Sequence, residues 1–484
     1  MRSELASGSR AESVHLTASR SATGEQIARA IRAVPADASC LVALAVLSYA
    51  LNRAFGLYDR WSVALVLLGV FFCAIGYFGS PRPAHWLVWA ACGAVIAAQV
   101  IYQGFLFPVV ASASPATAHH YLSLLAVLLV GVSIVAALTA ARHQVLFWLS
   151  AAVGVGAEIW ALVRLWKWQV SDIDVLPIVQ AASGALLKGM NPYLLATATY
   201  TPGGVIQAHF PYGPGVILMA IPGRIMGDAR VSSAILFVVF FAAVLGIAWE
   251  RGRSQVRLVA GICIAFPLTL GMILSSWADI YTVAPFAAWA ALRRREPPLA
   301  IGFLALSFTT KPTFFLMLVP ALLWSHRIRI EAGLAAIGAA VVIAPFAIIT
   351  GVGQFFYDIA GIQILGYTTR PDALTLNALL LSLGHSSLPL WAGFFVAGAV
   401  SIAVLWRRPR DYGDAFLAAA AISAIAFLVS KNAFFNYYFV PAALMLMALA
   451  GRGVPLELDG KLVRLPFSGR LDRFLPASLR ATQS

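Results

Sequence analysis

Asp172 and Asp174, in the run Ser171-Asp172-Ile173-Asp174, stand two positions apart just beyond a long apolar stretch, and Gly189-Met190-Asn191-Pro192-Tyr193 follows them. A carboxylate within hydrogen-bond reach of a hydroxyl can act as a general base, taking the proton as the oxygen attacks. Either acid suits that role, and the spacing does not choose between them. Asp279, in Ser275-Ser276-Trp277-Ala278-Asp279, is a third catalytic candidate. Four cations, Arg230, Lys311, Arg370 and Lys431, are of the type that holds an anionic leaving group such as a phosphate. Tyr193, His209, Tyr212, Trp277, Asn432 and Tyr437 add ring faces and hydrogen-bonding groups suited to a polyhydroxylated ligand.

The elements that must position these residues are apolar. The chain has 484 residues, of which 61% are hydrophobic and 11% charged, with a mean hydropathy of +0.84. An ordinary soluble domain carries about a quarter charged residues. Runs such as 63–79, 121–141 and 232–249 match or approach the roughly 20 residues that a spanning helix needs. Without water every backbone amide must be satisfied within the segment, so these runs are expected to be helices. The alternation of a transmembrane β-strand is absent from them. An acid at mid-bilayer is disfavoured by roughly 2.5–3.5 kcal/mol on insertion scales, so acids retained in such a chain mark a site or a cavity.

The net charge of +14 does not point to nucleic acid. The basic residues fall in short loops: Arg251, Arg253 and Arg257; Arg293 to Arg295; Arg327 and Arg329; Arg407, Arg408 and Arg410; and a tail with Arg452, Lys461, Arg464, Arg470, Arg473 and Arg480. Placing all of them in the cytoplasm follows the positive-inside rule. The threading gives about 14 spans, near 38–57, 62–79, 85–107, 120–141, 145–167, 229–249, 257–275, 278–292, 298–310, 312–324, 332–350, 388–406, 413–430 and 437–451, with both termini inside. Residues 168–228 then form a long external loop, where Pro211, Pro214 and Pro222 oppose a full span. Val175–Leu187 is expected to lie in the interface as a helix, with Asp174 near its N-terminus. A second external element covers about 351–387. Cys40, Cys73, Cys92 and Cys263 lie in or beside apolar segments without metal-binding spacing and are read as buried thiols.

This threading gathers the chemical candidates on one face. A base, a phosphate clamp and aromatic platforms there suit glycosyl transfer from a lipid-phosphate sugar to a hydroxyl acceptor. Each element also has a structural alternative: Asp172 or Asp174 as a helix cap, Lys311 extended to the interface, the tyrosines as an aromatic belt. A transporter or flippase is a second reading, which predicts acids lining midplane helices and repeat symmetry. A polysaccharide polymerase or ligase is a third. No internal repeat is visible in the sequence.

The chain resembles the GT-C superfamily of polyprenyl-phosphate-dependent glycosyltransferases, in the manner of its family 87 mannosyltransferase-like and family 39-like bacterial members. Asp172–Val175 leading to Gly189–Tyr193 is similar to a first-loop acid followed by a G-x-x-P-Y signature. Phe210-Pro211-Tyr212-Gly213-Pro214-Gly215 resembles a Y-P-P element, with Gly213 in place of the first proline. Gly227-Asp228-Ala229-Arg230 resembles a more widely spaced G-x-x-x-R pattern, and Trp277-Ala278-Asp279 falls where a second external loop carries its acid. Thr310–Thr313, Arg370–Asn377 and Lys431–Tyr438 add to the likeness, which covers about 150–440.

The resemblance implies an all-α, polytopic bundle with interfacial helices in its external loops. With residues 1–37, rich in Ser, Ala, Arg and Glu, read as a cytoplasmic tail, the expected division is extra N-terminal helices at 38–144, a catalytic module at 145–451 and a basic tail at 452–484. The resemblance further implies an inverting single displacement on the extracytoplasmic face of a bacterial inner membrane. The donor would be a polyprenyl-phosphate hexose or pentose, mannose-like, and the acceptor a glycolipid, glycan or protein. A divalent cation, Mg or Mn, at the carboxylate pair is the less favoured variant, since no dense acidic cluster appears.

Overall fold

The structure is a computed structural model that describes residues 25–26, 29–54, 57–105, 115–166, 174–195, 197–201, 204–266, 268–366 and 369–456. Asp172 and most of both tails lie outside the described residues.

A helix occupies each segment expected to span, and length separates the helices into two groups. Among the described residues five are long and apolar enough to cross a membrane: Arg60–Phe78, His120–Thr139, Gln144–Leu165, Arg230–Trp249 and His326–Thr350. A sixth crossing results if Arg253–Ala265 and Leu268–Leu274, bent by 54°, count as one broken span. The long helices are peripheral and expose large apolar side chains, Val145 at 71% and Ile348 at 72% among them. Apolar surface of that extent suggests a membrane protein, since a soluble monomer does not keep it in water.

The short helices form the centre. Phe435–Gly451 buries every residue but Tyr437, and Tyr412–Leu428 is nearly as enclosed. These two helices pack against each other, and Asp279–Leu292 packs against Arg230–Trp249 and Phe435–Gly451. These enclosed helices run only 14–17 residues, and helices surrounded by protein need not match the bilayer's thickness. The N-terminal helices belong to the same body. Ala36–Ala54 packs on Phe435–Gly451, and the Cys40 thiol donates to the Met445 carbonyl. All four cysteines are free; Cys40, Cys73 and Cys263 are buried and Cys92 half-buried.

The long loop after Gln144–Leu165 contains the expected helix Val175–Leu187 and a second, Pro214–Ile225, with Pro214 in its first turn and Pro222 inside it. One small element within this otherwise helical bundle is not a helix. Thr197–Thr201 and Gly204–Ala208 pair antiparallel as a small hairpin, favoured by their β-branched and aromatic residues. The segment expected to form a second external element holds Val352–Phe356, a π-helix at Tyr357–Gly366, and the short helix Leu376–Ser382.

Buried ion pairs lock the basic end of the bundle. Arg452 contacts Asp414, Asp411 and Asp37; Arg410 pairs with Asp414 at 2.6 Å; and Arg251 reaches Asp37 at 3.5 Å. Beside them Glu331 accepts from Arg293, Arg327 and the Trp289 indole at 2.9–3.0 Å. Four of the basic loops and the start of the basic tail therefore meet at one end, while Asp279 begins the helix whose far end carries Arg293.

Candidate functional site

Asp279 is fully buried, and both of its oxygens accept from Lys311 Nζ at 3.0 Å. The Asn436 amide donates to Oδ2 at 2.9 Å. Three separate elements supply these groups: the start of Asp279–Leu292, the turn between Pro297–Phe308 and Phe314–Trp324, and the first turn of Phe435–Gly451. Two rings flank the ammonium, with Tyr212 and Tyr437 centred 5.0 and 4.7 Å from Nζ. Both lie within the range where ring faces attract a cation. The sequence candidates Asp279, Lys311, Tyr212 and Tyr437 thus converge, from four stretches of chain.

Glycines set the position of Lys311. The Gly213 and Gly215 amides donate to the Thr310 and Thr309 carbonyls at 2.6 and 2.9 Å. A Cβ at Gly213 would lie 2.1 Å from the Thr309 oxygen, and one at Gly215 would lie 2.1 Å from the Thr309 hydroxyl. Only glycine allows this approach, which accounts for glycine at both positions. From the other side, the Thr282 and Thr310 hydroxyls meet at 2.8 Å, and Ser307 donates to the Thr282 carbonyl at 2.9 Å. The turn before Asp279 is equally constrained. Ser276, at φ 50°, is the non-glycine residue with positive φ among the described residues, and its hydroxyl lies 3.0 Å from that of Ser233. A side chain held in this sparsely populated region is a feature that concentrates at functional sites.

Lys311 also stands at the edge of a cavity of about 580 Å³. Phe308 and Phe314 line one part of it, and the Ala336, Ala340, Ile343 and Ala347 face of His326–Thr350 lines another. Small residues keep that wall low. The cavity is apolar apart from its Lys311 and threonine end, which fits an amphiphile with an anionic head and a hydrocarbon tail.

The other candidates have distinct surroundings. Asp174 is half-buried at the start of Val175–Leu187 and makes no side-chain cap hydrogen bond. Arg230 is committed elsewhere: its guanidinium grips Asp228 at 2.6 Å, donates to the Trp166 carbonyl at 2.9 Å and covers the Trp166 ring. It thereby anchors the end of the helix that precedes residues 167–173. Arg370 pairs with Asp372 at 2.6 Å and lies over Phe434, and its amide donates to the Lys431 carbonyl at 3.2 Å. Lys431 and Asn432 are half-buried in the extended stretch that leads to Phe435. Trp277 packs on Phe435, 4.9 Å between ring centres. Tyr193 is fully buried among Phe210, Phe346 and Phe355, and its hydroxyl donates to the Tyr212 carbonyl at 2.8 Å. It holds the site's wall and leaves no ring face open to a sugar.

Three residues were not among the sequence candidates. Asn436 lay within the Lys431–Tyr438 run, but only the start of the helix at Phe435 shows that it, and not Asn432, reaches Asp279. Asp358 is buried, accepts from Gln354 at 2.8 Å and leaves Oδ2 without a hydrogen-bond partner among the described residues. Burial pushes its carboxyl up, partly offset by Gln354 and by His209 nearby. His209 is half-buried, and its Nδ1 is likewise unpartnered. Glu158 stands midway along Gln144–Leu165 and lines a second, apolar cavity of about 480 Å³ with Trp148, Phe241, Cys263 and Thr269. An acid inside an apolar run was the signal for it.

Among the described residues no three His, Cys, Asp or Glu side chains converge as a metal site. Asp279, the acid of the site, has its oxygens engaged by Lys311 and Asn436, and the cation expected at Asp172 and Asp174 falls partly outside the described residues. No protein-family model matches the chain, and neither the curated proteins nor the solved structures include one similar to it.

Proposed function

We propose that the protein is an integral-membrane glycosyltransferase that moves a hexose or pentose from a polyprenyl-phosphate donor to a lipid, glycan or protein hydroxyl. The observation that carries this reading is the placement of Lys311. It is a buried cation, held by Asp279 and Asn436 between two tyrosines, at the head of an apolar cavity. A lipid phosphate would meet the ammonium there with its hydrocarbon along the alanine-rich wall. In the single displacement the acceptor oxygen bonds to the anomeric carbon while the bond from that carbon to the phosphate oxygen breaks. The phosphate leaves with the electron pair, and the acceptor proton passes to Asp172 or Asp174. Lys311 stabilises the leaving anion; Asp279 and Asn436 position Lys311. The GT-C-type bundle of about 14 spans, the extracytoplasmic site and the cytoplasmic termini form part of the same proposal.

The test is sugar transfer in proteoliposomes with radiolabelled polyprenyl-phosphate sugars, comparing wild type with Asp172→Asn, Asp174→Asn and Lys311→Met. Expected are transfer by wild type, a fall of about 100-fold or more in one Asp variant, as removal of a general base gives, and a comparable fall in Lys311→Met. Full activity in both Asp variants would remove the assigned base. A specific observation favours a second reading, as a transporter: Glu158 faces a cavity inside the spanning helices, where acids line substrate or ion paths. Substrate-dependent flux without transfer would select it.

A further inference from the structure

At the basic end, a pocket of about 580 Å³ opens between the end of Arg60–Phe78, residues 31–32 and the segment after Leu390–Leu405. Arg32, Arg407 and Arg410 line it together with Ile31, Phe78 and Pro81. Its frame is built rather than incidental. The Ala36 amide donates to the Ser80 carbonyl and the Ser80 amide to the Val34 carbonyl, both at 2.9 Å. Gly79 comes so near that a Cβ there would lie 2.8 Å from the Val34 oxygen. Arg407 is held by a reciprocal contact: its Nη1 donates to the Tyr77 carbonyl at 3.2 Å, and the Tyr77 hydroxyl donates to the Arg407 carbonyl. Arg410 donates to the Gly79 carbonyl at 2.8 Å.

The charges beside the pocket do not balance. Asp37, Asp411 and Asp414 are matched by Arg251, Arg410 and Arg452. Arg32 and Arg407 have no carboxylate partner among the described residues, and both face the pocket. Guanidinium groups left uncompensated beside an exposed phenylalanine, at the end of a helix long and apolar enough to span, are complementary to a phosphodiester with hydrocarbon attached. Basic pockets of this kind, between helices at headgroup depth, bind anionic phospholipids. We propose that this pocket is a binding site for the headgroup of an anionic phospholipid, with Arg32 and Arg407 on the phosphate and Phe78 against the first methylenes. The assignment does not depend on the glycosyltransferase reading.

Native mass spectrometry of the full chain, released from nanodiscs of mixed phosphatidylglycerol and phosphatidylcholine, tests it. Wild type should retain phosphatidylglycerol in preference. Arg32→Ala/Arg407→Ala should lose that preference, by about fivefold for each arginine removed. Arg142→Ala/Arg253→Ala, which removes the same charge from two other exposed positions, should keep it. Arg32 is exposed, so Arg32→Glu alone serves as a variant that does not disturb the Tyr77 contact, and it too should lower retention. Equal retention by all four proteins would overturn the proposal. So would thermal stabilisation by inorganic phosphate together with indifference to phosphatidylglycerol, which would make the pocket a site for a soluble anion.

Discussion

Lys311 and Asp279 are a pair in which neither member tolerates loss of the other. Breaking a buried ion pair strands a charge and costs about 3–5 kcal/mol, whereas replacing both partners with apolar residues of similar volume is often neutral. Asp279→Asn and Lys311→Met are therefore each expected to lower the melting temperature in detergent clearly. The double variant Asp279→Leu/Lys311→Met should recover most of the loss and still transfer no sugar. A double variant as unstable as the single ones would show that the pair does not act as a unit.

Asp358 makes a pH-dependent prediction. Its carboxyl is raised by burial, so the folded state holds the proton to higher pH than the unfolded state does. That contribution is complete below the ordinary aspartate range, near about pH 3.9, and is lost as pH rises through the folded value. Asp358→Asn should consequently gain melting temperature relative to wild type at neutral pH, and the gain should vanish toward pH 4. A difference that stays constant across this range would contradict the assignment.

At the scale of elements, the helix Asp279–Leu292 explains why the site and the basic end are so placed. Asp279 sits at its N-terminus and Arg293 directly after its C-terminus, each with the sign that complements the helix dipole. Over 14 residues the helix separates the two charges by about 21 Å. The strap from Gly213 to Thr310 gives a sharper test. Gly213→Ala is expected to abolish transfer, since its Cβ would enter the Thr309 backbone. Gly189→Ala meets open space at φ 72° and should cost only about 1–2 kcal/mol of stability. Equal effects would remove the strap as the reason for the motif.

The same elements show how far the sequence could be read. Apolar runs and their basic flanks were enough to locate the helices, because composition sets both. Which helices are enclosed was not legible, since Phe435–Gly451 and Gln144–Leu165 are similarly apolar yet one is central and the other peripheral. Asp279, Lys311, Tyr212 and Tyr437 stood out as polar residues near helix ends. Their convergence depends on close backbone contacts at Gly213 and Gly215 that no local pattern encodes. Arg230 and Tyr193 had functional residue types, but an aspartate two positions away and a ring of phenylalanines absorb them.

For the whole molecule, the structure fixes which loops share an end. Tyr58, before Arg60–Phe78, bonds to Ser382 at 2.6 Å, whereas Gly79, after that helix, bonds to Arg410. Single cysteines placed at Pro83 and Ser386, both exposed, in a background lacking the four native thiols should therefore react with an impermeant maleimide from opposite sides of a vesicle. Labelling of both from one side would refute the arrangement.

Glu158 carries a consequence of a different kind. An acid lining a cavity within apolar helices is accessible to reagents that dissolve in hydrocarbon and concealed from those confined to water. Dicyclohexylcarbodiimide should condense with Glu158 in intact membranes and leave a stable mass increment on the peptide that contains it. A water-soluble carbodiimide at equal concentration should leave that peptide unmodified, and Glu158→Gln should abolish the increment. The protein would then carry a built-in point of chemical attack reached through the lipid, separate from the charged site at Lys311.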